Sequence, residues 1–159
     1  MGLGLTTLWQ VKIPVTDVPR SVRWYQTLLD LELLAEFVEQ GVLRGAALLD
    51  RDGGYVIGLR DREVSAGHPD LSGFDLLGLR VASRRELHQI MERCDRLGVD
   101  HGDIEDRGVS LLGVDVPDPD GTVLRFLCFA DGVPAGFTGV ESGDDGEVSH
   151  YDTPRMGMT

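Results

Sequence analysis

Val114-Asp-Val-Pro-Asp-Pro-Asp-Gly-Thr-Val-Leu-Arg-Phe-Leu-Cys-Phe129 constrains this chain more than any other stretch. Apolar runs at Leu111–Val116 and Val123–Phe129 flank a Pro-Asp-Pro-Asp-Gly turn. In such a turn Asp bonds its own backbone, Pro fixes φ, and Gly121 supplies the positive φ that closes it. β-branched and aromatic residues on both sides predict strand, turn, strand. A weaker copy lies upstream as Ala46–Leu49, Asp50-Arg-Asp-Gly-Gly54 and Tyr55–Arg60. Internal duplication is therefore the first expectation.

A forward shift of 66 positions carries Gln10 onto Leu76, Val11 onto Leu77, Ile13 onto Leu79 and Asp17 onto Ser83. A shift of 67 carries Gly41 onto Gly108, Gly54 onto Gly121, Val56 onto Val123 and Leu59 onto Phe126. Each half reads strand, helix, then three strands. Thr7–Val15 alternates as the first strand, with Pro14 marking its end or an exposed edge. Asp17 reads as a helix N-cap with Pro19 in the first turn. Val22, Tyr25 and Leu28 recur at helical spacing. Leu33–Gln40 and Val42–Leu49 read as a hairpin around Gly41, and Tyr55–Arg60 as the fourth strand. Asp61–Ser72 is polar, with Gly67 and Pro69, and reads as a linker. Leu76–Val81 opens the second half. Ser83-Arg-Arg-Glu86 is a capping box, Leu87, Ile90, Met91, Cys94 and Leu97 form one apolar core stripe, and Gly98 ends the helix. Asp100–Glu105, Val109–Val116 and Thr122–Phe129 are the remaining predicted strands. The two modules span about residues 7–60 and 74–129 of a domain at 1–130. Residues 131–159 are predicted to be an irregular acidic tail, with Phe137, Tyr151 and Met156 as isolated anchors.

The chain's 159 residues suffice to bury about 68–70% of the unfolded surface. The net charge of −12 argues against nucleic acid and anionic membranes as partners, because phosphate binding needs a basic face. No apolar run is long enough to cross a bilayer. The start, Met-Gly-Leu-Gly-Leu-Thr, lacks a basic region, so no secretion signal is expected. Cys94 and Cys128 have no CxxC partner and read as reduced, buried thiols of a cytoplasmic protein.

A βαβββ unit occurring twice, with a Val-x-Asp helix start and an Asp-Pro-Asp-Gly strand start, resembles the vicinal-oxygen-chelate superfamily. That group holds glyoxalases, bleomycin-resistance proteins, extradiol dioxygenases and related epimerases and lyases. The matching text is Gln10-Val-Lys-Ile-Pro-Val-Thr-Asp-Val-Pro-Arg-Ser-Val-Arg-Trp-Tyr25, Leu77-Gly-Leu-Arg-Val81, and Val116-Pro-Asp-Pro-Asp-Gly-Thr-Val-Leu-Arg-Phe126. It covers roughly residues 7–129. The resemblance implies an α+β fold of two tandem modules whose curved mixed sheets form half-barrels, with the active site on their concave faces and a homodimer as the assembly. It also implies a divalent metal held by one residue from each of four strands. Those positions fall here on Gln10, Gly58, Leu76 and Arg125. Gln10 can ligate, glycine and leucine offer no donor, and Arg125 would repel the ion. His68, His88, His101 and His150 stand in linker, helix-surface, strand-start and tail positions, where surface roles are expected. No metal and no cofactor are therefore expected.

Strand alternation then assigns faces. Gln10, Lys12, Gly58, Arg60, Leu76, Gly78, Arg80, Arg125 and Leu127 share the concave side. Val11, Ile13, Ile57, Leu59, Leu77, Leu79, Leu124 and Phe126 share the side under the helices. Lys12, Arg60, Arg80 and Arg125 would be cationic donors for a small oxygen-rich or aromatic ligand, and Gly58 and Gly78 would leave room for a ring. The arginines could instead pair with carboxylates at the sheet rim. Three functions compete: a metal-free small-molecule binder; a lyase, isomerase or dioxygenase with displaced ligands or with Asp75, Asp115 or Tyr55 as base; and a partner protein assembled through its tail.

Overall fold

A computed structural model describes residues 3–156 other than Gly53, Pro134 and Phe137. The anchor expected at Phe137 lies outside the described residues. The elements are β1 (Gln10–Val15), α1 (Val18–Leu29), β2 (Glu32–Glu39), β3 (Val42–Leu49) and β4 (Val56–Asp61). Then come β5 (Asp75–Arg80), α2 (Arg84–Leu97), β6 (Glu105–Asp106), β7 (Leu111–Pro117), β8 (Val123–Phe129), β9 (Gly139–Ser142) and β10 (Val148–Tyr151). The fold is α+β, with two open four-stranded mixed sheets ordered β1-β4-β3-β2 and β5-β8-β7-β6.

The two sheets repeat one pattern. β1 runs parallel to β4 and β5 parallel to β8, while the other pairs in each sheet are antiparallel. Lys12 stands opposite Gly58 and Ile13 opposite Leu59. Gly78 stands opposite Arg125 and Leu79 opposite Phe126. The shifts of 66 and 67 read from the sequence carry the first pairing onto the second.

Local signals explain the helices. Asp17 caps α1 by accepting from Arg20 N at 2.9 Å, with Pro19 in the first turn. Ser83 caps α2, accepting from Arg85 N at 3.2 Å while its hydroxyl donates to Glu86. The carboxylate thus returns to the Ser83 hydroxyl, and the Glu86 N–H goes to the Ser83 carbonyl at 3.1 Å. Gly98 ends α2 in the left-handed region at φ 65°.

Packing divides the chain into two units. The first runs to Phe74 and also takes Asp118–Thr122, and the second holds Asp75–Pro117 and the chain from Val123 onward. Ile13, Val15, Tyr25, Leu28, Leu48, Ile57 and Leu59 are buried in the first unit. Leu87, Cys94, Val114, Val116, Leu124 and Phe126 are buried in the second. Full burial of each large aliphatic side chain contributes roughly 1.5–3 kcal/mol. Cys94 and Cys128 are free and buried.

The turn residues Asp118–Thr122 belong to the first unit because their side chains bind there. Asp118 is buried and fully engaged. Its Oδ1 accepts from Asp120 N and Thr122 N, each at 2.9 Å, and its Oδ2 accepts from the Tyr25 hydroxyl at 2.9 Å. Arg20 donates to the Pro119 carbonyl at 3.2 Å, and Thr16 bonds Asp120. Gly121 sits at φ 85°, and a Cβ there would fall 2.6 Å from Ser72 Oγ, so both backbone and space demand glycine.

Three strand assignments change. The first strand begins at Gln10 rather than Thr7, because its register with β4 begins with Gln10 opposite Val56, and before it only the Trp9 carbonyl accepts from Val56 N, at 2.9 Å. The strand expected over Asp100–Glu105 reduces to Glu105–Asp106, the residues in register with β7, with Gly102 N adding one bond to the Asp115 carbonyl at 2.8 Å. The tail, expected to be irregular, folds Gly139–Ser142 against Val148–Tyr151 as an antiparallel hairpin. Val148 packs closely on Gly108, which has no side chain to obstruct it.

Removing the Tyr25 hydroxyl with Tyr25→Phe strips one donor from a buried carboxyl group. Urea unfolding at neutral pH should show a loss of about 1–3 kcal/mol, and an unchanged midpoint would mean that the contact is dispensable.

Candidate functional site

Period-two alternation on β1 turns Gln10 and Lys12 to one face of the first unit's sheet. On the adjacent β4, Gly58 and Arg60 turn the same way, with Lys12 directly opposite Gly58. Gly58 has no side chain to fill this face. A Cβ there would lie 2.5 Å from Gln10 Nε2, so the Gln10 amide lies across the glycine. Together these four residues border a hollow of about 300 Å³. Ala46 on β3 and Phe37 and Glu39 on β2 complete the wall. Leu59 also borders it, although its side chain is buried.

Four predicted site residues therefore meet in one unit. Their charge differs from the expectation. Arg60 is not a free cation, because its Nη1 donates to Glu39 Oε1 at 2.6 Å. That hydrogen bond holds the Glu39 carboxyl below its ordinary range. Lys12 has no carboxylate within 4.0 Å among the described residues.

Leu76, Arg80, Arg125 and Leu127 stand on β5 and β8 of the second unit. Arg125, also expected as a free donor, is clamped. Its Nε and Nη2 reach both oxygens of Asp115 at 2.8 and 2.9 Å, and its Nη1 pairs with Asp75. Arg107 extends the network to Asp115 at 3.1 Å and Glu105 at 3.2 Å. A Cβ on Gly113 would come 2.6 Å from Arg107 Nε, so this side chain lies over the sheet. The Arg125 hydrogen bonds hold the Asp115 carboxyl below its usual range, against the opposing effect of partial burial.

The base candidates fare accordingly. Asp75 and Asp115 are committed to guanidinium groups, and burial pushes the Tyr55 hydroxyl up. His68, His88 and His150 are exposed. His101 bonds Asp95 at 3.2 Å and the Gly102 carbonyl at 2.7 Å. Among the described residues, no three His, Cys, Asp or Glu side chains group to hold a metal ion.

Sequence reading missed Phe37, Glu39, Glu105 and Arg107. Phe37 and Glu39 were legible as members of a predicted strand, and their alternation placed them on one face. Nothing local tied that face to Gly58. Glu105 and Arg107 sit at a short edge strand with no periodic signal.

The family model described as the Glyoxalase/Bleomycin resistance protein/Dioxygenase superfamily matches residues 7–126. The chain belongs to that superfamily. No curated protein matches it in sequence. Solved structures match it in fold. A glyoxalase/bleomycin resistance protein/dioxygenase from Nocardioides superposes with TM-score 0.67 at 18% identity, covering 87% of this chain and 93% of that one. TnmS3, an antibiotic binding protein from Streptomyces sp. CB03234, gives TM-score 0.64 at 17% identity over 79% of this chain and 97% of that one. The fosfomycin resistance protein FosX from Listeria monocytogenes gives 0.56 at 15% identity over 80% and 93%. At these identities the likeness is one of fold. Among the described residues of this superfamily member, no helix is long and apolar enough to cross a membrane.

The Asp115 network carries a pH signature. A carboxyl lowered in the folded state stabilises it above the ordinary carboxylate range, and that contribution is lost as pH falls through the folded value. Thermal melts should therefore weaken below about pH 4. Asp115→Asn should flatten that acid limb, and an identical pH profile would rule out Asp115 as its source.

Proposed function

We propose that this superfamily member binds a small oxygen-rich or aromatic molecule without the divalent ion many relatives use. The observation that carries this is the donor set at the family's four ligand positions. Gln10 presents an amide, Gly58 lies bare beneath that amide, Leu76 has no donor, and the Arg125 guanidinium is tied to two carboxylates. A hard cation needs converging oxygen, nitrogen or sulfur donors, and these residues do not fit one.

What remains is a shaped hollow. Its volume of about 300 Å³ lies at the lower end of the range typical of ligand pockets. Phe37 offers an exposed aromatic wall, and Gln10, Lys12 and the Arg60–Glu39 pair offer fixed polar contacts. The same reading assigns Leu76, Arg80, Arg125 and Leu127 to ligand contact on the second unit's sheet. The Streptomyces relative described as an antibiotic binding protein supports sequestration as a use of this fold. We further infer a cytoplasmic homodimer: the free, buried Cys94 and Cys128 suit a reducing compartment, the dimer is what the family resemblance implies, and the net charge of −12 disfavours nucleic acid and anionic membranes as partners.

Calorimetric titration with Zn²⁺, Ni²⁺, Mn²⁺ and Fe²⁺ should show no stoichiometric site. Tight uptake of one ion would overturn the metal-free reading in favour of a lyase, isomerase or dioxygenase. In parallel, thermal shifts should reveal binding within a panel of hydroxybenzoates, catechols and anthraquinones. Gly58→Ala meets only the flexible end of Gln10, so it should keep the fold yet weaken that binding by about tenfold, equivalent to about 1.4 kcal/mol. Unaltered affinity would move the site elsewhere.

A further inference from the structure

The first unit's hollow is chemically lopsided, and the asymmetry narrows what it accepts. Three charged side chains border it: Lys12, Arg60 and Glu39. Arg60 and Glu39 neutralise each other at 2.6 Å, which leaves the Lys12 ammonium without a carboxylate within 4.0 Å among the described residues. This is one uncompensated positive charge in a chain of net charge −12. Lys12 is also the only lysine in the sequence, the other fourteen Lys/Arg positions all being arginine. An ammonium is a compact point charge with three rotatable donors, suited to one anionic oxygen rather than to a planar fork.

The matching face of the second unit makes the contrast. There Gly78 takes the place of Lys12, and Arg125 the place of Gly58. Arg125 and Arg107 are consumed by Asp75, Asp115 and Glu105. The Arg125 end of that face is thus filled by its own charge network, while the exposed Arg80 further along β5 has no carboxylate within 4.0 Å among the described residues. The first unit's face keeps a hollow bordered by one uncompensated cation, Lys12.

Resting on the reading of this hollow as a small-molecule site, we propose that its ligand is a planar monoanion, an aryl carboxylate or phenolate. The anionic oxygen meets Lys12, and the Gln10 amide supplies a second polar contact. The ring lies along the exposed Phe37 side chain above the bare Gly58 backbone. A dianion is disfavoured because Glu39 already occupies Arg60. A neutral ring leaves the ammonium unpaired as water is displaced.

The test compares naphthoate with its uncharged amide, by calorimetry, on the full chain and on Lys12→Met and Lys12→Arg. Lys12 is exposed, so both variants should fold, as circular dichroism would check. Naphthoate should bind at least about tenfold tighter than the amide. That preference should vanish in Lys12→Met and persist in Lys12→Arg. Peptide mapping after brief amine acylation should show naphthoate protecting Lys12 and the amide failing to. Equal binding of acid and amide, unaltered by Lys12→Met, would overturn the anion preference while leaving the small-molecule reading intact. If neither compound nor any aromatic of the wider panel binds, the site reading itself fails, and this inference with it.

Discussion

The parallel pairing of β1 with β4 is the constraint on which the first unit depends. A parallel pair cannot close through a tight turn, so the chain must travel through α1, β2 and β3 before it returns. That excursion places an amphipathic helix on one face of the sheet and leaves the other face uncovered within the unit. It also brings Gln10 and Lys12 beside Gly58 and Arg60, which are nearly fifty positions away in sequence. The hollow follows from this topology together with the missing side chain at Gly58.

The second unit repeats the pairing and reaches a different chemistry. Beyond a register shift at Leu76, β5 lies beside β8 in the matching register, but the residues opposite one another are Gly78 and Arg125. Asp115, directly across the antiparallel β7–β8 pair from Arg125, supplies both carboxylate oxygens to the guanidinium. A duplicated scaffold thereby carries a tied guanidinium at Arg125 in one copy and an unmatched ammonium beside a bare glycine in the other. Such divergence costs the fold little, because the residues that hold each sheet to its helix point the other way. Ile13, Ile57, Leu59, Leu124 and Phe126 are buried whatever occupies the opposite face.

The buried Tyr25–Asp118 contact shows a second way in which the repeat has been put to use. Asp118 first closes its own turn by accepting from the backbone at Asp120 and Thr122. Its remaining oxygen then takes the hydroxyl of a residue on α1. A local turn motif becomes a long-range tie because a carboxylate has more acceptor capacity than the turn consumes.

Much of this was legible in one dimension. Asp17, Ser83 and Gly98 mark helix ends through interactions that reach only three or four residues. Gly121 marks its turn through a backbone angle. The alternation of Gln10, Lys12, Gly58 and Arg60 sorts side chains to one face because a strand has a period of two. The sequence by itself determined these elements, their order and the doubling of the βαβββ unit, since each rests on short-range sterics and hydrogen bonding. Only the tertiary structure decided where charge is spent. Glu39 reaches Arg60 from another strand, and Asp75 reaches Arg125 across fifty positions. Arg107 comes onto Gly113 from just beyond a two-residue edge strand, and the tail forms a hairpin whose Val148 rests on Gly108. Ion pairing falls off with distance in space and is blind to distance along the chain, so no spacing rule could have shown which cations are tied and which are not.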